Sequence, residues 1–139
     1  MGNKDIISRF RLLRSQIDYG IFYPVQYGAI AALRGEDDFI EEQRQQYAAR
    51  NRALCGGLRS IGWNVPDSQG TMFVWAKIPQ GYESSADFCM KLMERTGVIV
   101  TPGSAFGSNG EGYVMMALVV YEGTIAEIIR ALDESGIFM

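Results

Sequence analysis

The stretch from Gly97 to Val120, GVIVTPGSAFGSNGEGYVMMALVV, sets the strongest limit on the fold. β-Branched and apolar runs at Val98 to Val100 and Tyr113 to Val120 read as strands, and the Thr, Pro, Gly, Ser and Asn residues between them read as a loop. A chain built this way is expected to form a sheet, and loops held by a sheet are where binding groups usually sit. Thr101, Pro102, Gly103, Ser104, Ala105, Phe106 and Gly107 are therefore the candidate wall of a ligand site, with Phe106 as an aromatic lid. The residues alone leave a second reading open, in which the loop is a Gly-rich connection and Phe106 tucks into the core.

The flanking segments supply the layers around such a sheet. Thr71 to Ile78, TMFVWAKI, places Met72, Val74, Ala76 and Ile78 on one face and Phe73 and Trp75 on the other. Apolar on both faces, it is expected to be a central strand. Ile6, Phe10, Leu13 and Ile17 recur at helical spacing, predicting an amphipathic helix over 5–19. Pro24 suits the first position of a second helix, and Gly35 ends it. Asp37 or Asp38 caps a long third helix reaching about Ser60. Ser84 or Ser85 starts a fourth, with Phe88, Cys89, Leu92 and Met93 as its inner stripe, and Gly97 closes it in a left-handed conformation. Thr124 and Glu127 have the spacing of a capping box for a last helix whose inner face is Ile125, Ile128, Ile129 and Leu132.

The expected fold is α+β: a small, mainly antiparallel sheet of split β-α-β type, covered by helices on one face and preceded by long amino-terminal helices. A single domain over 1–139 is expected, helical over 1–60 and an α/β sandwich over 61–139. With 139 residues, 47% of them hydrophobic, the chain has enough apolar material for one core.

Composition then excludes several kinds of chemistry. The formal net charge is −3 and the basic residues are scattered, which disfavours nucleic acid. No run is long and apolar enough to span a bilayer, and no signal pattern opens the chain, so a cytoplasmic protein without membrane contact is expected. Cys55 and Cys89 are far apart and outside any CxxC pattern, so neither a disulfide framework nor a zinc site is suggested. The chain has no histidine, which removes Ser-His and Cys-His nucleophiles and imidazole metal sites. Any chemistry must lean on a cofactor, on carboxylates, or on groups from another part of a larger protein.

Four patches, in order, carry a family resemblance: GNKDII at Gly2 to Ile7, SQIDYGIFYPVQYGAIAAL at Ser15 to Leu33, GTMFVWAKIP at Gly70 to Pro79, and GVIVTPGSAFGSNGEGYVMMALV at Gly97 to Val119. Together they resemble the carboxy-terminal part, or small domain, of a fold-type I, pyridoxal-phosphate-dependent aminotransferase of class I/II, in the branch of diaminopimelate and aspartate-type transaminases. The resemblance implies a parent enzyme that binds pyridoxal phosphate and moves an amino group between an amino acid and a 2-oxo acid. It implies that Thr101 to Phe106 line the substrate side of the pocket. It also implies that Tyr19 to Phe22 approach a partner subunit's active site in a homo-oligomer.

Two departures from the family pattern shape the functional expectation. The Schiff-base lysine and the phosphate-gripping arginine belong just upstream of the GN dipeptide, where this sequence has only Met1. Lys4, Lys77 and Lys91 lack the expected setting and read as ordinary surface residues. Covalent cofactor attachment, and hence activity of this chain alone, is not expected. In the family pattern Gly-Tyr-x-Arg-x-x-Leu the arginine grips the substrate α-carboxylate through two charged hydrogen bonds. Counted from Gly112 and Tyr113, that position is Met115, which has no N–H donor and no charge. A rival reading keeps the fold without the catalysis: a self-associating or ligand-binding module.

Overall fold

A computed structural model describes residues 2–35 and 37–138. Packing divides them into two compact units, one over Met1–Phe39 and one over Ile40–Met139. The boundary falls near the start of the third helix, so that helix goes with the sheet.

The first unit is two helices. Asn3 caps α1 (Lys4–Ile17), its side-chain oxygen accepting from the N–H groups of Asp5 and Ile6 and satisfying donors that a helix start leaves free. Asp18 stops it, pairing with Arg14 at 2.9 Å and accepting from the Gly20 N–H. α2 (Tyr23–Arg34) starts one residue earlier than expected, so Pro24 is its second residue, still within the turn that has no use for the missing N–H. Neither helix buries a residue, so the apolar positions Ile6, Phe10, Leu13 and Ile17 all stay exposed.

The second unit holds α3 (Asp38–Ser60), β1 (Phe73–Lys77), α4 (Ser85–Thr96), β2 (Thr101–Pro102), β3 (Tyr113–Ala117) and α5 (Glu122–Glu134). The three strands form one antiparallel sheet in the order β1-β3-β2. Val74, Ala76, Val114 and Met116 point to its inner face. They pack into one core with Leu54, Cys55 and Leu58 of α3, Phe88, Cys89 and Leu92 of α4, and Ile125 and Leu132 of α5. The helices thus cover a single face, which is the α+β arrangement expected from the periodicities.

Aromatic and polar contacts lock the core. Trp63 meets Phe88 edge-on at 5.3 Å and stacks on Phe138, while its indole N–H donates to the Lys77 carbonyl at 2.9 Å. The Arg50 guanidinium lies near the Tyr47 and Tyr121 rings and donates to the Leu118 carbonyl at 3.0 Å. Ser84 caps α4 by accepting from the Asp87 N–H, and Gly97 closes it at φ 72°, a conformation that costs glycine least.

Several expectations are corrected by this arrangement. β1 is an edge strand, and β3 is the central one. The second apolar face of β1 is not buried in a sheet sandwich: Phe73 and Trp75 remain 38% and 41% exposed. Val98 to Val100 alternate in burial but make no ladder; the paired strand is only Thr101–Pro102. β3 ends at Ala117, short of the expected Val120, although the Leu118 N–H still donates to the Met72 carbonyl at 2.8 Å and the Leu118 carbonyl accepts from Arg50. The Thr124/Glu127 capping box does not form. Tyr121 is the N-cap of α5 and its carbonyl accepts from Ile125, so Thr124 is already inside the first turn.

Candidate functional site

The register of the sheet brings two of the sequence-predicted residues, Thr101 and Met115, together on the accessible face. Met115 lies opposite Trp75 on one side and opposite Thr101 on the other. Directly opposed residues of antiparallel strands project to the same face, so Trp75, Met115 and Thr101 form one row across the sheet. Phe73, Lys77, Tyr113 and Ala117 share that face by alternation. Lys77 is the one charged residue that the three strands place there. Pro102, opposite Val114, belongs to the inner face.

The loop after β2 continues this wall. Gly103 to Phe106 make one tight helical turn and Ser108 to Gly110 a second. Gly103 and Gly110 are buried and touch backbone to backbone, an approach that leaves no room for a side chain. The turn delivers Phe106 edge-on to the Trp75 ring at 5.6 Å, and Tyr113 stacks on the same ring at 5.7 Å. Phe106 is 57% exposed, so it is not tucked into the core. Ser104 and Ala105 are exposed at the loop's crest.

A polar staple holds the loop from behind. Ser85 is fully buried at the first turn of α4. Its N–H donates to one Glu111 carboxylate oxygen at 2.6 Å and its hydroxyl donates to the other at 3.1 Å. The Ser85 hydroxyl also lies 3.2 Å from the Ser104 hydroxyl and accepts from the Ser104 N–H at 3.4 Å. The Gly112 N–H donates to Glu111 at 2.8 Å. Backbone N–H groups of Ser85 and Gly112 hold the Glu111 carboxyl below its ordinary value, since they favour the charged form.

That direction has a measurable consequence. A carboxyl lowered in the folded state contributes stability that is present above its unfolded-state value and lost as pH falls through the folded-state value. Denaturant unfolding followed from pH 7 down to pH 3 should show a shallower acid loss in Glu111→Gln than in the unsubstituted chain. Parallel curves for the two would contradict the staple.

The lysines and cysteines are dispersed along the chain, with Lys77 on the accessible face. Lys91 pairs with Asp87 at 2.8 Å and lies over the Tyr82 ring, Lys4 opens α1, and Lys77 sits at the end of β1. Burial pushes the Cys55 and Cys89 thiols up, which makes them poor nucleophiles. Among the described residues no cluster of His, Cys, Asp or Glu could hold a metal ion, and no helix is long and apolar enough to cross a membrane. Tyr19 to Phe22 lie in the first unit, between α1 and α2, with Tyr19 and Phe22 exposed.

Sequence reasoning missed Ser85 and Glu111 as parts of the site, and Trp75 and Tyr113 as its floor. The alternation in TMFVWAKI had already set Phe73 and Trp75 apart as a face. Nothing local links Ser85 to Glu111, which are 26 residues apart.

Comparison with known proteins bears on the family and the fold. The family described as aminotransferase class I and II matches residues 1–132. The chain is 42% identical over 137 residues to an LL-diaminopimelate aminotransferase of Halothermothrix orenii, covering 99% of this chain and 35% of that protein. It is 38% identical over 134 residues to the glutamate-pyruvate aminotransferase AlaC of Escherichia coli, covering 95% and 32%. The substrate-bound BacF structure from Bacillus subtilis superimposes with a TM-score of 0.90 at 31% identity, covering 96% of this chain and 34% of that one. The chain thus spans about a third of the length of the relatives it matches. Family match and shared fold together make this chain a member of the class I and II aminotransferases.

Proposed function

We propose that this chain is the carboxy-terminal small domain of a longer pyridoxal-phosphate-dependent aminotransferase, which moves an amino group between an amino acid and a 2-oxo acid. The observation that carries the reading is the row Trp75, Met115 and Thr101 on the accessible sheet face, with Phe106 brought onto Trp75 by the loop. Thr101, Gly103, Ser104, Ala105, Phe106 and Met115 then form one wall of the substrate cleft. Pro102 sets the backbone from the inner side. The wall orients substrate and excludes water from one side of it.

The residues present do not fit the cofactor. Pyridoxal phosphate supplies an electrophilic aldehyde and an electron sink, and it needs a lysine amine that faces the substrate. Lys91 is committed to Asp87 on an exposed helix face, Lys4 lies in the first turn of α1, and Lys77, although on the accessible face, lies at the far end of β1 opposite Tyr113, two residues beyond Trp75. In this reading the amine and the phosphate grip come from other residues of the parent, and this chain alone does not turn over substrate.

A second reading is favoured by one observation, the exposed apolar stripe of α1 with the exposed Tyr23, Val25, Tyr27 and Leu33 of α2. Such surface favours self-association. One experiment addresses both readings. The purified chain is titrated with pyridoxal phosphate, reduced with borohydride and mapped by mass spectrometry, alongside sedimentation analysis. No stable adduct is expected on Lys4, Lys77 or Lys91, and a full-length parent should show one on a lysine outside this chain. An adduct on one of these three lysines that supports turnover would sink the proposal. A stable oligomer, with a parent that binds no cofactor, would favour the non-catalytic module.

A further inference from the structure

We infer that Glu111 is a positioning residue of the substrate wall: together with the buried Ser85 it clamps the Gly103–Phe106 turn so that Phe106 stands against Trp75. This rests on the reading of that loop as a substrate wall, but the geometry that supports it does not.

Both oxygens of the Glu111 carboxylate are used, with two of the three bonds going to Ser85 and one to Gly112. Oε1 takes the Ser85 N–H at the start of α4 and the Gly112 N–H at the entry to β3. Oε2 takes the Ser85 hydroxyl, which frees the lone pairs of that hydroxyl to face Ser104. Glu111 thereby connects three segments that converge on the loop: the helix start, the base of β3 and the turn itself. A neutral side chain cannot accept from all three donors with the same strength, since charged acceptors make the shorter and stronger bonds.

Besides this clamp, the turn is held by the Phe106–Trp75 contact and by the close backbone approach of Gly103 to Gly110. Within it, the Gly107 N–H donates to the Ser104 carbonyl and the Gly110 N–H donates to the Gly107 carbonyl, and both bonds are local. Ser104, Ala105 and Phe106 are exposed. The Gly103–Gly110 contact fixes the base of the loop, not its crest. The crest is therefore tied to the domain through Ser104 to Ser85 and, behind Ser85, through Glu111. Buried and fully satisfied, Ser85 transmits the position of the carboxylate to the loop backbone.

The test is amide hydrogen exchange by NMR on the 139-residue chain, comparing the unsubstituted form with Glu111→Ala, Ser85→Ala and Glu111→Gln. Glu111→Ala should speed exchange at Ser85, Ser104 and Gly112 by about tenfold, with Leu92 and Leu132 in the helix interiors unchanged. The cross-peak between the Phe106 and Trp75 rings should weaken in the same variant. Ser85→Ala should release Ser104 but leave Gly112 protected, because only the hydroxyl is lost. If Glu111→Ala does not fold, Glu111→Gln reads the same amides, and a rise of about threefold confined to them supports the clamp. Unchanged Ser104 protection, or an equal loss at Leu92 and Leu132, overturns it. In a full-length parent Glu111→Gln should raise KM for the amino acid more than it lowers kcat. Loss of loop protection without any change in KM would keep the clamp and remove the substrate-wall reading.

Discussion

Gly103→Ala is expected to destabilise the second unit by about 3 kcal/mol, since overpacking against atoms that cannot move away lies at the costly end for a single methyl group. The added Cβ would fall onto the Gly110 carbonyl oxygen and 2.7 Å from the Tyr113 carbonyl oxygen. Both obstacles are backbone. One belongs to the second turn of the loop and the other to the first residue of the central strand, so relief requires prising the loop off the sheet. Urea unfolding followed by circular dichroism measures the effect as a lower midpoint at similar slope. Gly123→Ala is the matched control, because nothing lies within 4 Å of its Cβ position in the first turn of α5. There alanine should be neutral or slightly stabilising, through its better helix propensity. A Gly103→Ala midpoint equal to that of the control would show that the contact between the two glycines is not obligatory.

The second large effect concerns Met115. In a full-length parent, Met115→Arg should lower KM for α-amino acids by about tenfold or more, the scale of a two-pronged, charge-assisted bond to a carboxylate. The site can take the longer side chain, because Met115 is on the accessible face and only half-buried between Trp75 and Thr101. The same guanidinium can lie against the Trp75 ring, which suits a cation. Steady-state kinetics with an amino acid and with the matching amine that lacks the carboxylate separates the cause. KM should fall for the first and hold for the second. Equal behaviour of the two would mean that residue 115 does not face the carboxylate at all.

Much of the architecture was legible because it depends on local rules. Ser84, Gly97 and Pro24 act as the cap, stop and first-turn residues that their chemistry predicts. Ile125 and Leu132, four and eleven places into α5, obey the helical period and are buried. Sheet order was not legible, because it is set by which strand finds two partners. The doubly apolar pattern of β1 pointed to a central strand, yet its outer aromatics serve the accessible face that holds Trp75. The start of α5 was misplaced for a similar reason. Thr124 and Glu127 fit a capping box locally, but the chain already turns helical at Glu122, with Tyr121 as the N-cap.

The site divides the same way. Thr101 to Phe106 could be named from composition and family pattern, since Gly, Pro and Ser mark a loop wherever they cluster. Their juxtaposition with Met115 needed the register of two strand pairs. Ser85 and Glu111 were invisible, because each is unremarkable in its own segment and only the folded chain makes them neighbours.

The proportions of α3 carry a mechanical consequence. At about 1.5 Å per residue, its 23 residues form a rod of roughly 35 Å, seated in the core only along its carboxy-terminal half at Leu54, Cys55 and Leu58. Tyr47, beside Arg50, is partly buried against the same core. The helix is thus moored by one end: what it adds to the cohesion of the sheet domain comes chiefly from its final ten residues.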